Sequence, residues 1–136
     1  MRGARDAADG LKRTFGWIGL VCWMLIVPVK AARRFHLGIS PTAIGIAPSL
    51  LGPAGLLFVI LSSEHRLARL TLTQATLIAG AIALGLEFAQ LLPRPGLLAR
   101  VRYTFDWLDV MATLFSLSAA ALVSAFLRRR YQQGRT

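Results

Sequence analysis

The sequence predicts an all-α integral membrane protein in which about four transmembrane helices form an antiparallel bundle. Of the 136 residues, 55% are hydrophobic and only 16% are charged. A soluble domain of this size exposes much of its surface and needs more charged residues to cover it. The apolar residues are also clustered in runs that approach the roughly 20 residues a helix needs to cross a hydrocarbon core about 30 Å thick. The charged residues lie between these runs.

The first two predicted spans differ in regularity. The first covers residues 14–29 and has basic residues on both sides, which can reach the lipid headgroups. The second covers residues 39–61 and contains three prolines and three glycines. Because proline removes a backbone donor and clashes with the preceding helical turn, two interpretations remain open. The segment is either a kinked span or a loop followed by a span that begins near Leu50.

The third and fourth predicted spans are uninterrupted. The third covers residues 70–92 and ends before Pro93, and the fourth covers residues 103–127 and ends at three consecutive arginines. The connections between the spans are short, and no repeat or linker divides the chain. We therefore predict a single membrane domain over residues 1–136.

The net charge of +10 is distributed unevenly along the chain. Ten of the 16 Lys and Arg residues lie in the N-terminal tail, in the connection between the second and third spans, and in the C-terminal tail. Because Lys and Arg accumulate on the cytoplasmic side of membrane proteins, both termini are predicted to be cytoplasmic. The basic residues flank apolar runs, where they meet lipid headgroups. We therefore expect membrane lipids as partners and no nucleic acid.

Three acidic residues lie within the predicted spans, where an ionisable side chain is costly and is a candidate for function. Glu87 is in the third span, and Asp106 and Asp109 are in the fourth. Each belongs to a helical face of small and polar residues, and we expect the two faces to meet. The connection between the spans adds arginines at the same side. The faces are Thr76, Gly80, Ala83, Glu87 and Gln90, and Asp106, Asp109, Thr113, Ser116 and Ala120; the arginines are Arg94, Arg100 and Arg102.

These residues alone leave the role of the acids open. The acids could pair with the arginines as a structural clasp, or they could bind a ligand. A metal site is not expected, because no His or Cys is close and the arginines compete for the carboxylates. No arrangement of a nucleophile and a base is present, so no reaction is assigned and no cofactor is expected.

Two segments carry an unusual spacing of polar residues. They are LEFAQL at residues 86–91 and DWLDV at residues 106–110. A Glu and a Gln three residues apart at the end of one span, followed by an Asp at the start of the next, resemble the VanZ-like family of small bacterial membrane proteins. The resemblance covers about residues 70–127.

The chain departs from the family's pattern at several positions. Thr113 stands where the family has Asn, and Ser116 and Ala120 stand where it has Gly. Tyr103 holds the position of the family's Arg, with Arg102 beside it. The resemblance implies a functional cluster composed of Glu87, Gln90, Arg102, Asp106, Asp109 and Thr113.

The resemblance also implies a cell-envelope protein of the bacterial plasma membrane. Its expected role is to bind or process the headgroup of a lipid-linked or cell-wall precursor, as in glycopeptide antibiotic resistance. The alternative is a non-catalytic accessory subunit that packs against larger membrane proteins through stripes of small residues. A small transporter is disfavoured, because the three acids lie at one side of the membrane and a proton or ion relay must cross it.

Overall fold

The computed structural model describes residues 2–34, 41–64, 67–89 and 106–133. The regular structure in these residues is entirely helical, which confirms the predicted all-α class. Four of the helices are long and apolar enough to cross a membrane. In chain order the elements are α1 (Arg2–Arg34), α2 (Pro41–Ser62), a 3-10 turn (Leu67–Arg69), α3 (Leu72–Ala89) and α4 (Trp107–Gln133).

Two helices extend well beyond their apolar stretches at their basic ends. α1 has 33 residues, although its membrane-compatible part is Ala8–Val29. α4 continues past the predicted end at residue 127 as far as Gln133. Lys and Arg are good helix formers, so a basic run ends the apolar surface without ending the helix.

α2 is helical over its whole length, so the hypothesis of a loop before Leu50 is wrong. Pro53 has no N–H to donate to the carbonyl of Ser49, four residues earlier. The Thr113 hydroxyl of α4 donates a hydrogen bond to that carbonyl at 3.3 Å. The Leu50 carbonyl accepts a hydrogen bond from the hydroxyl of Ser116. α4 therefore provides donors to the carbonyls that precede this proline.

The core is built around α2, which contacts α1, α3 and α4. Leu57 and Phe58 of α2 are buried, and the Phe58 ring lies 5.9 Å from the ring of Phe15 in α1. Phe15 is itself buried. The largest buried side chains thus lie at the contact between α1 and α2 and toward the C-terminal half of α2.

The buried face of α3 is made only of alanines. Ala75, Ala79 and Ala83 are buried, at every fourth position, so the backbone of α3 comes close to its neighbours. Thr76 and Gly80, which the sequence predicts on the inward face of this helix, are half-buried beside these alanines.

α3 begins at a capping box. The Thr71 hydroxyl accepts a hydrogen bond from the N–H of Gln74 at 3.2 Å, and the Gln74 side chain accepts one from the N–H of Thr71 at 3.0 Å. Such a reciprocal pair satisfies two amides that have no partner within the helix. The helix consequently starts at Leu72, two residues after the predicted start of the third span.

Candidate functional site

One hydroxyl links two carboxylates at the junction of α2, α3 and α4. The Oγ atom of Ser49 lies 3.3 Å from Oε1 of Glu87 and 3.1 Å from Oδ1 of Asp109. Ser49 is buried, whereas both acids are half-buried. A hydroxyl has one hydrogen, so Ser49 donates to one of the two carboxylates at a time. We call Ser49, Glu87, Asp109 and Thr113 the Ser49 cluster.

Thr113 holds the backbone from which Ser49 projects. It is 1% exposed, and its hydroxyl donates to the Ser49 carbonyl that Pro53 leaves without an intrahelical donor. A buried carbonyl without a donor costs free energy, so this hydrogen bond favours one position of α2 relative to α4. The position of the Ser49 hydroxyl therefore depends on α4 as well as on α2.

The cluster lies toward one end of the bundle. Glu87 is in the last turn of α3, which ends at Ala89, and Asp109 is in the first turn of α4. Free amides at the start of a helix carry partial positive charge, which favours a carboxylate at the position of Asp109. The two acids are therefore near the surface of the apolar bundle rather than at its centre.

The structure brings together some of the predicted site residues and not others. Glu87 and Asp109 share the same donor, and Thr113 lies beside them. The sequence placed α3 directly against α4 at this point, but the Ser49 side chain of α2 lies between the two acids. Gln90 and Arg102 fall outside the described residues, as do the other two arginines of that connection.

Asp106 has a structural role at the start of α4 instead of the predicted role in the functional cluster. Its side chain is exposed, and Oδ1 accepts a hydrogen bond from the N–H of Leu108 at 3.0 Å. This geometry is that of an N-cap residue, which satisfies a free amide at the start of α4. Asp106 therefore caps α4, and the described contacts do not link it to Ser49.

Sequence reasoning missed Ser49, although a signal was present. Ser49 is the only residue with a polar side chain in the segment 43–61, and it precedes Pro53 by four positions. A polar side chain in an apolar span usually faces other helices, and a proline four residues later leaves its carbonyl in need of a donor. Together these two features mark a contact point between helices.

The cluster is rich in hydrogen-bond acceptors. Its two carboxylates can accept hydrogen bonds from hydroxyl, amine or amide groups of a ligand, and charge makes such bonds stronger than neutral ones. Among the described residues, no group of three His, Cys, Asp or Glu side chains is placed to hold a metal ion. The arrangement thus suits the recognition of a polar ligand that donates hydrogen bonds.

Comparisons of the chain with protein-family models, curated proteins and solved structures found no match. The function of the protein must therefore be inferred from the residues of the Ser49 cluster and from the helices that hold them. The similarity to the VanZ-like family stays a hypothesis based on residues 86–91 and 106–110.

Proposed function

We propose that this protein is a multi-pass protein of the bacterial plasma membrane, with an antiparallel helical bundle and both termini in the cytoplasm. Large apolar side chains on its outer surface support this proposal: Phe115 is 71% exposed and Leu122 is 72% exposed. Such surfaces are rare on soluble monomers and are solvated well by lipid. Contacts that run from Gly16 to Ser62 and from Gly19 to Val59 support opposite directions for α1 and α2.

The orientation can be tested with reporter fusions. A reporter that is active only in the cytoplasm should function when it is fused after Arg130, because the basic C-terminal tail favours the cytoplasmic side. A fusion within residues 93–102 should report the opposite side. A C-terminal fusion that reports the outside would contradict an even number of spans with cytoplasmic ends.

We further propose that the protein is a VanZ-like envelope protein whose Ser49 cluster binds the headgroup of a lipid-linked or cell-wall precursor. The observation that carries the proposal is the Ser49 hydroxyl shared by Glu87 and Asp109 at one end of an apolar bundle. Carboxylates within apolar helices are costly, and such residues usually serve function. The sugar and peptide parts of a precursor headgroup present hydroxyl and amide donors, which match these acceptors. The arginines in residues 94–102 are suited to its phosphate groups.

The test compares two cluster variants with a matched control. Glu87→Gln and Asp109→Asn should each reduce the precursor lipid retained on purification by about tenfold, because a charge-assisted hydrogen bond contributes roughly 1.5–3 kcal/mol. Their thermal stability in detergent should stay unchanged or rise, because functional sites hold groups that are not optimal for folding. Asp106→Asn is the control, since Asn caps a helix about as well as Asp. Lipid retention is measured by mass spectrometry of the purified full chain.

Three outcomes separate the interpretations. Loss of lipid without loss of stability supports headgroup binding. Loss of stability together with lipid at both Glu87 and Asp109 returns the cluster to a structural clasp. Retention of lipid at wild-type levels in both variants contradicts the proposed function.

The alternative, an accessory subunit, is supported by one face of α3. Ala81, Gly85 and Ala89 are all exposed, so this stripe of small residues points away from the bundle and suits contact with another helix. The stripe of small residues on α4 is different, because it is buried within the protein and unavailable to a partner: Ala112, Ser116, Ala120 and Ser124. Wild-type lipid retention in the cluster variants would favour this accessory role.

A further inference from the structure

A cavity of about 290 Å³ lies at the end of the bundle opposite the Ser49 cluster. It is an open pocket lined by the N-terminal part of α1, the end of α2, the 3-10 turn and the C-terminal part of α4. Its apolar wall includes Phe15 and Leu61, which are buried in the core. Lys12 and Arg128 line the same cavity and are half-buried. The cavity therefore combines an apolar wall with two cations.

The charge around this cavity is unbalanced. The described residues that line it include Lys12 and Arg128 but no acid. A neighbouring cavity of about 440 Å³ is also lined by Lys12 and by Arg13, but there the acids Asp9 and Glu64 accompany them. Lys12 is shared by the two cavities, but Arg128 lines only the first, where no acid is among the described lining residues. The potential in the first cavity is therefore the more positive of the two. An anion is thus favoured in the first cavity rather than in the second.

A hydrogen bond between helices fixes the wall of the cavity. The Thr14 hydroxyl donates to the carbonyl of Gly10 at 3.0 Å, so its single hydrogen is in use. The Tyr131 hydroxyl, 3.1 Å away, therefore donates to Thr14 Oγ1. This bond ties the end of α4 to α1. Because this bond uses the Tyr131 hydrogen, that hydroxyl does not donate to a ligand. The charged donors among the described lining residues are Lys12 and Arg128.

From these observations we infer that the cavity binds an anionic glycerophospholipid. The guanidinium of Arg128 can contact phosphate oxygens in a bidentate manner, and the ammonium of Lys12 adds a second charge. The acyl chains would lie against the more accessible apolar residues of the lining, which are Leu11, Leu67 and Leu70. Basic residues at the ends of apolar helices lie at the depth of lipid phosphates, so the cavity and the headgroup meet at the same level.

Bound lipid would connect two helices that otherwise contact each other little. α1 packs mainly against α2, and its direct contacts with α4 are few. A phosphate held by Lys12 of α1 and Arg128 of α4 adds a bridge between them. Because a ligand that binds only the folded state stabilises it, lipid binding should raise the thermal unfolding midpoint.

The experiment uses the full chain in a neutral detergent. Dioleoyl phosphatidylglycerol should raise the unfolding midpoint and form a one-to-one adduct in native mass spectrometry. Dioleoyl phosphatidylcholine and glycerol 3-phosphate at the same concentration should do neither. Phosphatidylcholine lacks net negative charge, and glycerol 3-phosphate lacks acyl chains.

Matched variants locate the binding site. Arg128→Ala should weaken phosphatidylglycerol binding by about tenfold or more, because a charged hydrogen bond is lost. Arg129→Ala removes the same charge from an exposed neighbour that does not line the cavity, and should weaken binding by less than about threefold. Ala68→Trp fills the cavity without a change in charge and should abolish the adduct while the lipid-free protein keeps its unfolding midpoint.

Several results would overturn the inference. Equal losses in Arg128→Ala and Arg129→Ala would indicate diffuse attraction to a basic surface. An adduct that survives in Ala68→Trp would place the lipid elsewhere, even if the arginine variants failed to fold. Stabilisation by glycerol 3-phosphate equal to that by phosphatidylglycerol would make the ligand a soluble phosphate. None of these results depends on the Ser49 cluster, which lies at the other end of the bundle.

Discussion

Replacing Gly19 with leucine is expected to force α1 away from α2 and to lower the free energy of unfolding by about 3 kcal/mol or more. A Cβ atom at Gly19 would lie 3.0 Å from Cγ2 of Val59, 3.1 Å from the carbonyl oxygen of Gly55 and 3.2 Å from the backbone nitrogen of Val59. Two of these three atoms belong to the backbone and cannot rotate away. The helices themselves must therefore move, and leucine adds three more carbons to the same space.

The measurement is denaturation of the purified protein in detergent, with two reference variants. Gly19→Ala should lose less stability than Gly19→Leu, since it adds only the first atom. Gly85→Ala should be neutral or stabilising by about 0.5–1 kcal/mol, because alanine favours a helix and the added Cβ would meet no side chain or other helix among the described residues within 4 Å. Wild-type stability of Gly19→Leu would contradict the close crossing of α1 and α2.

The sequence predicts the number and class of the helices better than their ends. Apolar runs mark where lipid can surround a helix, so all four helices could be placed. The ends depend on local chemistry that hydropathy does not report. The basic residues after 127 end the apolar surface of α4 but continue the helix to Gln133, and the capping box at Thr71 sets the start of α3.

The residues of the proline-containing second span could not by themselves decide whether its first half is a helix or a loop. The rule that proline breaks a helix describes a chain that lacks other donors. In this fold the donor to the Ser49 carbonyl is Thr113, which is 64 residues away in the chain. Only the packing of α4 against α2 reveals that partner. The same contact places Ser49 in the cluster. The conformation of the second span and the composition of the site were therefore both uncertain because the contact between α2 and α4 is not visible in the sequence.

Helical periodicity correctly predicts that two of the three acidic residues lie close together, but it fails for the third. Glu87 and Asp109 lie within helices, and the structure places them beside the same hydroxyl. Asp106 has the right spacing to share the face of Asp109, but it precedes α4 as its N-cap. A cap residue does not have helical backbone angles, so its side chain turns toward the first free amides. The three-residue spacing therefore carries no information about its direction.

Thr113→Val should destabilise the protein by about 1–3 kcal/mol, because it leaves the buried Ser49 carbonyl without a donor. Valine has nearly the shape of threonine, so little packing is lost. Ser118→Ala is the matched control on the same helix, since its exposed hydroxyl donates only to the carbonyl of Leu114 in its own helix. This control should change stability by less than about 0.5 kcal/mol. Equal losses in the two variants would contradict a special role for Thr113.

The cause can be isolated by adding Pro53→Ala to the same protein. This change restores an N–H at position 53, which can donate to the Ser49 carbonyl within α2. Thr113→Val should then cost at least about 1 kcal/mol less than it does with the proline present, and this difference is the coupling energy of a double-mutant cycle.

The same pair of substitutions links stability to function. Precursor retention, if lost in Thr113→Val because Ser49 shifts, should return in the double variant. Additive effects of the two changes would mean that Thr113 does not stabilise the protein through the Ser49 carbonyl, and the position of Ser49 would then need another explanation.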